Sequence, residues 1–370
     1  MGATPGDFIT SAPSVWGASN AALAASVFPP YSSIALVLGA MVSDPAQMWH
    51  SAERFEKVAK LVRSANSEMT ERVHQHAGSW DEKGKDAFFA TRLRPYQGAL
   101  EQAADMYDDM ASTLRGNALS YSHVGTTSMV LGSMLLNHSA AYVVTRPLPG
   151  ANVAAQSAAS LAAMRAQVAV GRLVEGLKVA NAWAADLFTT AASRLPMLVR
   201  LTKAPLTTGA TLAFTGVPAA IWGGSGAFHV AITAAPALEE SVRTVPWPKE
   251  LGAGTAAPQG FRAPTAKQVD DLKRIHPESI LALGKDLDTS AAATLGEAYE
   301  LARTVEVGLP GFGAVGTHLA FAFSAMRNSA AEQLAGSRDE PGTWLPALRT
   351  VAGNWVSAEE ATMDAVKRVR

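Results

Sequence analysis

The chain has 370 residues, 48% hydrophobic and 17% charged, with no cysteine and 31 basic against 32 acidic residues for a formal charge of -1. That length suits one large or two modest domains, each with its own core. The lack of cysteine excludes disulfide staples, thiolate nucleophiles and sulfur-ligated metals, and the balanced charge argues against a phosphate-binding surface and so against nucleic acid as a partner. The charge is unevenly spread. Residues 44–115 hold 22 charged side chains in 72 positions, residues 116–238 only 9 in 123, and residues 239–370 hold 31 in 132. Residues 8–43 carry none.

A Sec or Tat signal peptide places basic residues ahead of its apolar run. Here Asp7 is the only charged side chain before Asp44, and Arg54 is the first basic one. With Pro13, Pro29 and Pro30 breaking it, the leader reads as two short helices of the mature protein, at 19–28 and 32–42. Asp44 followed by Pro45 is a helix-start signal. Phe55, Val58, Val62, Ala65, Met69 and Val73 then recur at threes and fours, an apolar stripe on one helix face that stops at Gly78. A second stripe runs through Phe89, Leu93, Tyr96, Leu100, Ala103, Tyr107, Met110, Leu114, Asn117 and Tyr121. Its alternating fours and threes predict antiparallel coiled-coil packing over a rod of roughly 50 Å, kinked at Pro95.

Residues 116–145 and 204–238 carry no charge, and 124–145 has the length of a bilayer span. Polar residues such as Thr126, Ser133, Asn137 and His138 in the first run, and Pro205, Pro218 and Pro236 in the second, favour a buried bundle core. Membrane contact through these two runs is the alternative. Residues 153–192 form an alanine-rich helix that allows close helix approach. Pro246, Pro248, Pro258 and Pro264 mark a linker at 245–264. Beyond it, residues 265–304 read as a helix bent or split by Pro277, then a turn at 308–313, a helix at 317–334, a loop at 338–342 around Pro341 and a final helix at 344–368. Residues 113–121 and 347–355 share Leu, Arg, Ala and an aromatic at equal offsets, a weak sign of duplication. The expected architecture is all-α. Its parts are leader helices at 1–43, a helical hairpin at 44–123, an apolar helical centre at 124–244, the linker, and a C-terminal bundle at 265–370.

No pattern in the chain specifies chemistry. Gly311-Phe312-Gly313-Ala314-Val315-Gly316 matches G-x-G-x-x-G in letters, but helix is expected on both sides where a dinucleotide site needs a preceding strand. Glu71-x-x-His74 is one half of a di-iron motif without a second half, and His76 falls on another face of the helix from His74. Gly223-Gly224-Ser225-Gly226-Ala227 lacks the last glycine of a nucleophile elbow. The expectation is a protein that is not an enzyme and has no cofactor and no metal.

The expected hairpin tip, Trp80-Asp81-Glu82-Lys83-Gly84-Lys85-Asp86-Ala87-Phe88, resembles the WXG-motif proteins, the helical-hairpin substrates and partners of type VII (ESX) secretion. The resemblance covers residues 44–121, with a weaker echo at 265–370, and the long apolar centre is similar to the larger ESX-associated secreted proteins of actinobacteria. In the family, a tryptophan and glycine form the turn and an Ala-Phe-like pair opens the second helix. Trp355 with Glu359, one helical turn apart, is the nearest substitute for the family's aromatic-x-x-x-acid signal. The resemblance implies a secreted or cell-surface protein, cytoplasmic before export, that acts by contact with secretion components or a helical partner. Trp80, Gly84, Phe88, Tyr121, Trp355 and Glu359 are its candidate recognition residues. A helical pore former is the alternative function.

Overall fold

The structure, a computed structural model, describes residues 9–77, 83–202, 276–308 and 310–369. The second uncharged run, the expected linker, the expected start of a helix at 265 and the tip residue Trp80 lie outside them. The described residues are overwhelmingly helical and contain no strand, so the fold is all-α as expected.

Helix α1 spans Ala12–Val27, with Pro13 in its first turn. It ends because Pro29 disfavours the helical conformation at Phe28, which is extended. A 3₁₀ turn at Pro29–Tyr31 leads into α2, Ser32–Ala40. Helix α3 is Pro45–Ala77. The expected cap is present: Ala46 N and Gln47 N donate to Asp44 Oδ1 at 3.2 and 3.3 Å. Of the predicted stripe, Phe55, Val58, Val62, Ala65 and Met69 are buried, and Val73 is half-buried.

The second predicted helix begins as α4, Lys83–Phe88, passes through a π-helical stretch at Phe89–Leu93, and continues as α5, Arg94–Thr145. Pro95 accounts for the wide turn. Its ring would clash with the Thr91 carbonyl and it has no N–H to offer there, so the register widens and Arg94 N donates to Phe89 O. From Leu93 to Tyr121 every member of the stripe is buried. The helix then runs on to Thr145. Helix α6, Pro149–Thr202, takes in the predicted alanine-rich segment.

Pro277 is the first residue of α7, Pro277–Arg303, where its missing N–H costs no hydrogen bond, and the part of the expected helix that precedes His276 lies outside the described residues. One expectation for the C-terminal block is corrected. The expected loop at 338–342 does not form. Helix α8 runs unbroken from Thr317 to Val369 through Pro341 and Pro346, so the separate final helix does not exist. A helical Pro341 strands the Ser337 carbonyl four residues back, and the structure supplies a replacement donor: Tyr96 Oη donates to Ser337 O at 2.6 Å.

The residues divide into two compact units, each assembled from separate stretches: Met1–Lys57 with Tyr107–Ser193 and Ala302–Asn328, and Val58–Met106 with Arg194–Leu301 and Ser329–Arg370. In the first, Phe323 is the hub of the aromatic core. Phe55, Phe188 and Phe312 meet it edge-on at 6.4, 5.7 and 5.7 Å, and Phe55 stacks on Tyr107 at 6.1 Å. In the second, Trp344 is fully buried between Phe88 and Tyr96, at 5.7 and 5.2 Å. Within that unit, Arg63 of α3 reaches Glu101 and Asp105 of α5, Asn66 reaches Gln97 and Glu101, and Thr70 reaches Gln97. Partners fall along α5 as they rise along α3, the order of antiparallel neighbours.

Candidate interaction surface

In the first unit, α1 and α5 pack through small residues. Ser14, Gly17, Ala21 and Ala24 form a buried row on α1, and Gly125, Ser128, Gly132 and Ser139 a matching one on α5. A Cβ on Gly17 would lie 2.6 Å from Met129 N and closer still to the Ser128 carbonyl group, and one on Gly132 would lie 2.9 Å from Gly17 C. The backbones therefore touch, as only glycine allows. Ser139 Oγ donates to Ala24 O at 3.1 Å, and Phe28 meets the Tyr142 ring edge-on at 5.6 Å. Contacts rise together along both chains, so this pair is parallel.

Because small residues occupy the contact itself, larger side chains are displaced to its rim. Trp16, Met129, Val130, Met134 and His138 line an open hollow there, with Ser133 and Asn137. Trp16 is 65% exposed and Val130 61%. Asn20 Nδ2 donates to Ser133 Oγ at 3.2 Å across the hollow's edge. Neither α1 nor residues 116–145 contain an Asp, Glu, Lys or Arg, so the surface is apolar with neutral polar groups. Such a hollow suits the apolar face of an amphipathic helix. Among the described residues, every exposed large apolar side chain except Val356 belongs to this first unit. Sequence reasoning missed Trp16. The small residues around it signal close helix packing but do not say on which side of the contact a tryptophan falls.

The residues singled out from the sequence are dispersed. Phe88 is buried in the second unit against Trp344. Beside it lies a polar cluster: Trp344 Nε1 donates to Glu340 Oε1 at 3.0 Å, and Arg92, whose guanidinium is pulled down by burial and partly restored by Glu340, is also buried. Tyr121 is buried in the first unit, its hydroxyl 3.0 and 2.8 Å from the two amide atoms of Asn181. Burial pushes that phenol up to about 12, against the lowering effect of Asn181. Gly84 lies in α4, and Trp355 and Glu359 lie on α8.

The glycine-rich stretch at 310–316 is an interhelical turn wrapped against the α2–α3 junction. Asp44 N donates to Gly311 O at 2.8 Å, and Gly308 N donates to Gln47 Oε1 at 2.9 Å. Gly313 has φ +65°, and a Cβ there would lie 2.6 Å from Val42 O. A Cβ on Gly316 would sit 2.6 Å from the Tyr121 hydroxyl. Close approach of the Val42 backbone and of the Tyr121 side chain thus accounts for the second and third glycines of the G-x-G-x-x-G pattern. Glu71 and His74 border an open hollow on α3, and His76 Nε2 lies 2.9 Å from Asp286 Oδ2. Among the described residues, no group of three or more His, Asp or Glu is placed to hold a metal ion, and no helix is long and apolar enough to cross a membrane. No family model, curated protein or solved structure matches the chain.

Proposed function

We propose that the protein is an exported, non-enzymatic helical protein that acts by protein–protein contact, as its resemblance to type VII secretion substrates implies. The hollow beside the α1–α5 contact is the face that receives an apolar helix stripe of a partner. One observation carries the contact reading: among the described residues, large apolar side chains stand exposed on the sparsely charged helices of one unit, while in the other only Val356 does. Exposed apolar surface of this kind is costly in water and marks interaction sites. The export reading rests on the Trp80–Phe88 tip and on Trp355 with Glu359, one turn apart on the same face of α8.

Fractionation of the native host tests export. The protein should reach the culture medium or cell surface when the type VII secretion ATPase is intact, and should be retained in the cytosol when that ATPase is inactivated. Cytosolic retention in both strains refutes it. Dye-filled vesicles separate this function from pore formation: no leakage is expected across lipid compositions and pH, and dose-dependent leakage would replace contact by membrane insertion.

A further inference from the structure

Helix α6 carries a second apolar surface, separate from the α1–α5 hollow and independent of the reading built on it. Its inner face, with Ala162, Ala166, Leu177 and Phe188, is buried in the first unit. Its outer face presents Met164, Val168, Arg172, Glu175, Val179 and Trp183, all exposed. These six are spaced four, four, three, four and four, an average slightly above the 3.6 residues of a helical turn, so the stripe slants around the helix by roughly 100° from end to end, the sense of a right-handed crossing. Val179 is 71% exposed and Trp183 55%.

The stripe reads the same from both ends. Turned end over end about a point between residues 173 and 174, it sets Met164 against Trp183, Val168 against Val179 and Arg172 against Glu175. Each pairing is apolar with apolar or cation with anion, and each occurs twice about the axis. That is the self-complementarity of a two-fold interface. Parallel pairing would set Arg172 on Arg172 and Glu175 on Glu175, which like-charge repulsion opposes. The remaining charges do not disturb the match: Arg165 and Lys178 fall opposite Ala182 and Ala169, and Asp186 falls opposite Leu161 at the ends. Lys178 Nζ lies 2.9 Å from Glu175 Oε1, both well exposed, which leaves the second carboxylate oxygen for a partner's guanidinium.

We propose that α6 pairs antiparallel with the α6 of a second copy of this chain. With roughly 100 Å² hidden by each of the four large apolar side chains on both copies, the seam buries about 800 Å², the size of a weak, reversible interface.

Sedimentation velocity on the full chain, followed with concentration, should show 38.6 kDa monomer giving way to a species of twice that mass. Arg172→Glu and Glu175→Arg should each raise the dissociation constant tenfold or more, and the double variant R172E/E175R should recover at least half of the lost association. All these positions are exposed, and circular dichroism checks that helicity is kept. The chain has no cysteine, so single cysteines report register. An equimolar mixture of Val168→Cys and Val179→Cys proteins should oxidise to the mixed 168–179 dimer in excess of either like pair. Monomer at all concentrations to about 200 μM, association insensitive to the charge changes, failure of the double variant to recover, or a preference for 168–168 disulfides would each overturn the proposal.

Discussion

Replacing Gly17 or Gly132 by alanine measures how much the α1–α5 contact contributes. A new Cβ on Gly17 meets Met129 N at 2.6 Å, where ordinary contact begins at 3.4 Å, and meets the Ser128 carbonyl group still more closely. All these atoms are backbone, so no rotamer change relieves the clash and the helices must separate by about 1 Å. Separation along a parallel pair loosens the whole row from Ser14 to Phe28. Overpacking of this kind costs roughly 1–3 kcal/mol, and alanine's better helix propensity returns at most about 1 kcal/mol. The net expectation is a loss of about 1–2 kcal/mol. Gly116→Ala, also within α5, is the control. A Cβ there meets nothing within 4 Å, so the same substitution should stabilise by about 0.5–1 kcal/mol. Urea unfolding followed by circular dichroism at 222 nm should lower the midpoint for Gly17→Ala and Gly132→Ala and raise it for Gly116→Ala. If all three raised it alike, the helices would not be in backbone contact and the placement of the hollow would fall with it.

Two further outcomes follow from buried tyrosines. Tyr96→Phe removes the donor to the Ser337 carbonyl that Pro341 leaves without a helical partner, and should cost about 1–3 kcal/mol. In a Pro341→Ala background the backbone N–H returns, so a double-mutant cycle should show that cost fall by at least half; additive costs would refute the replacement. On the alkaline side, burial raises the phenols of Tyr31, Tyr96, Tyr107 and Tyr121, the last to about 12. Because the folded values lie above the unfolded value near 10, their contribution is intact below about pH 10 and is lost as pH rises toward and beyond the folded values. For Tyr121 that loss approaches 3 kcal/mol. Phenolate absorbance at 295 nm should therefore lag free tyrosine and then rise together with loss of helicity, and Tyr121→Phe should shift unfolding to higher pH; phenolate appearing near pH 10 with helicity unchanged would contradict the burial.

Legibility in the sequence followed the periodicity of apolar residues and failed where a distant partner changed a local rule. The stripe from Leu93 to Tyr121 is buried throughout, and the Asp44 cap binds as a Ser/Thr/Asp/Asn cap should. Both depend on residues a few positions apart. Pro341 reads as a loop because a proline lacks a donor, and that rule is sound for an isolated helix. The compensating hydroxyl belongs to Tyr96, 241 residues away, and no local window contains it. Trp16 failed for the opposite reason. Its neighbours are small, which signals close helix packing, but the consequence that a large residue beside the contact must be extruded requires knowing that Gly17 faces Ser128 and Gly132.

The uneven charge along the chain has its explanation in how the units are assembled. The uncharged leader and most of the sparsely charged centre up to Ser193 are collected into the first unit, although the charged α3 lies between them in sequence. The charged stretches 58–106, 276–301 and 329–369 make up most of the described residues of the second. What reads along the chain as alternating blocks is thus, among the described residues, largely sorted by unit. The exposed apolar side chains of the first unit must meet other apolar surfaces or bear the cost of water contact, which is about 25 cal/mol per Å². On α6 the two charges that interrupt the apolar stripe are of opposite sign and symmetrically placed. Opposite charges three apart can pair within one helix, whereas the two-fold seam pairs them between copies, and charge reversal at one of them separates the two. The charge-reversal pair on α6 consequently tests more than a dimer: it tests whether the sparse charges of this unit are placed to choose its partners.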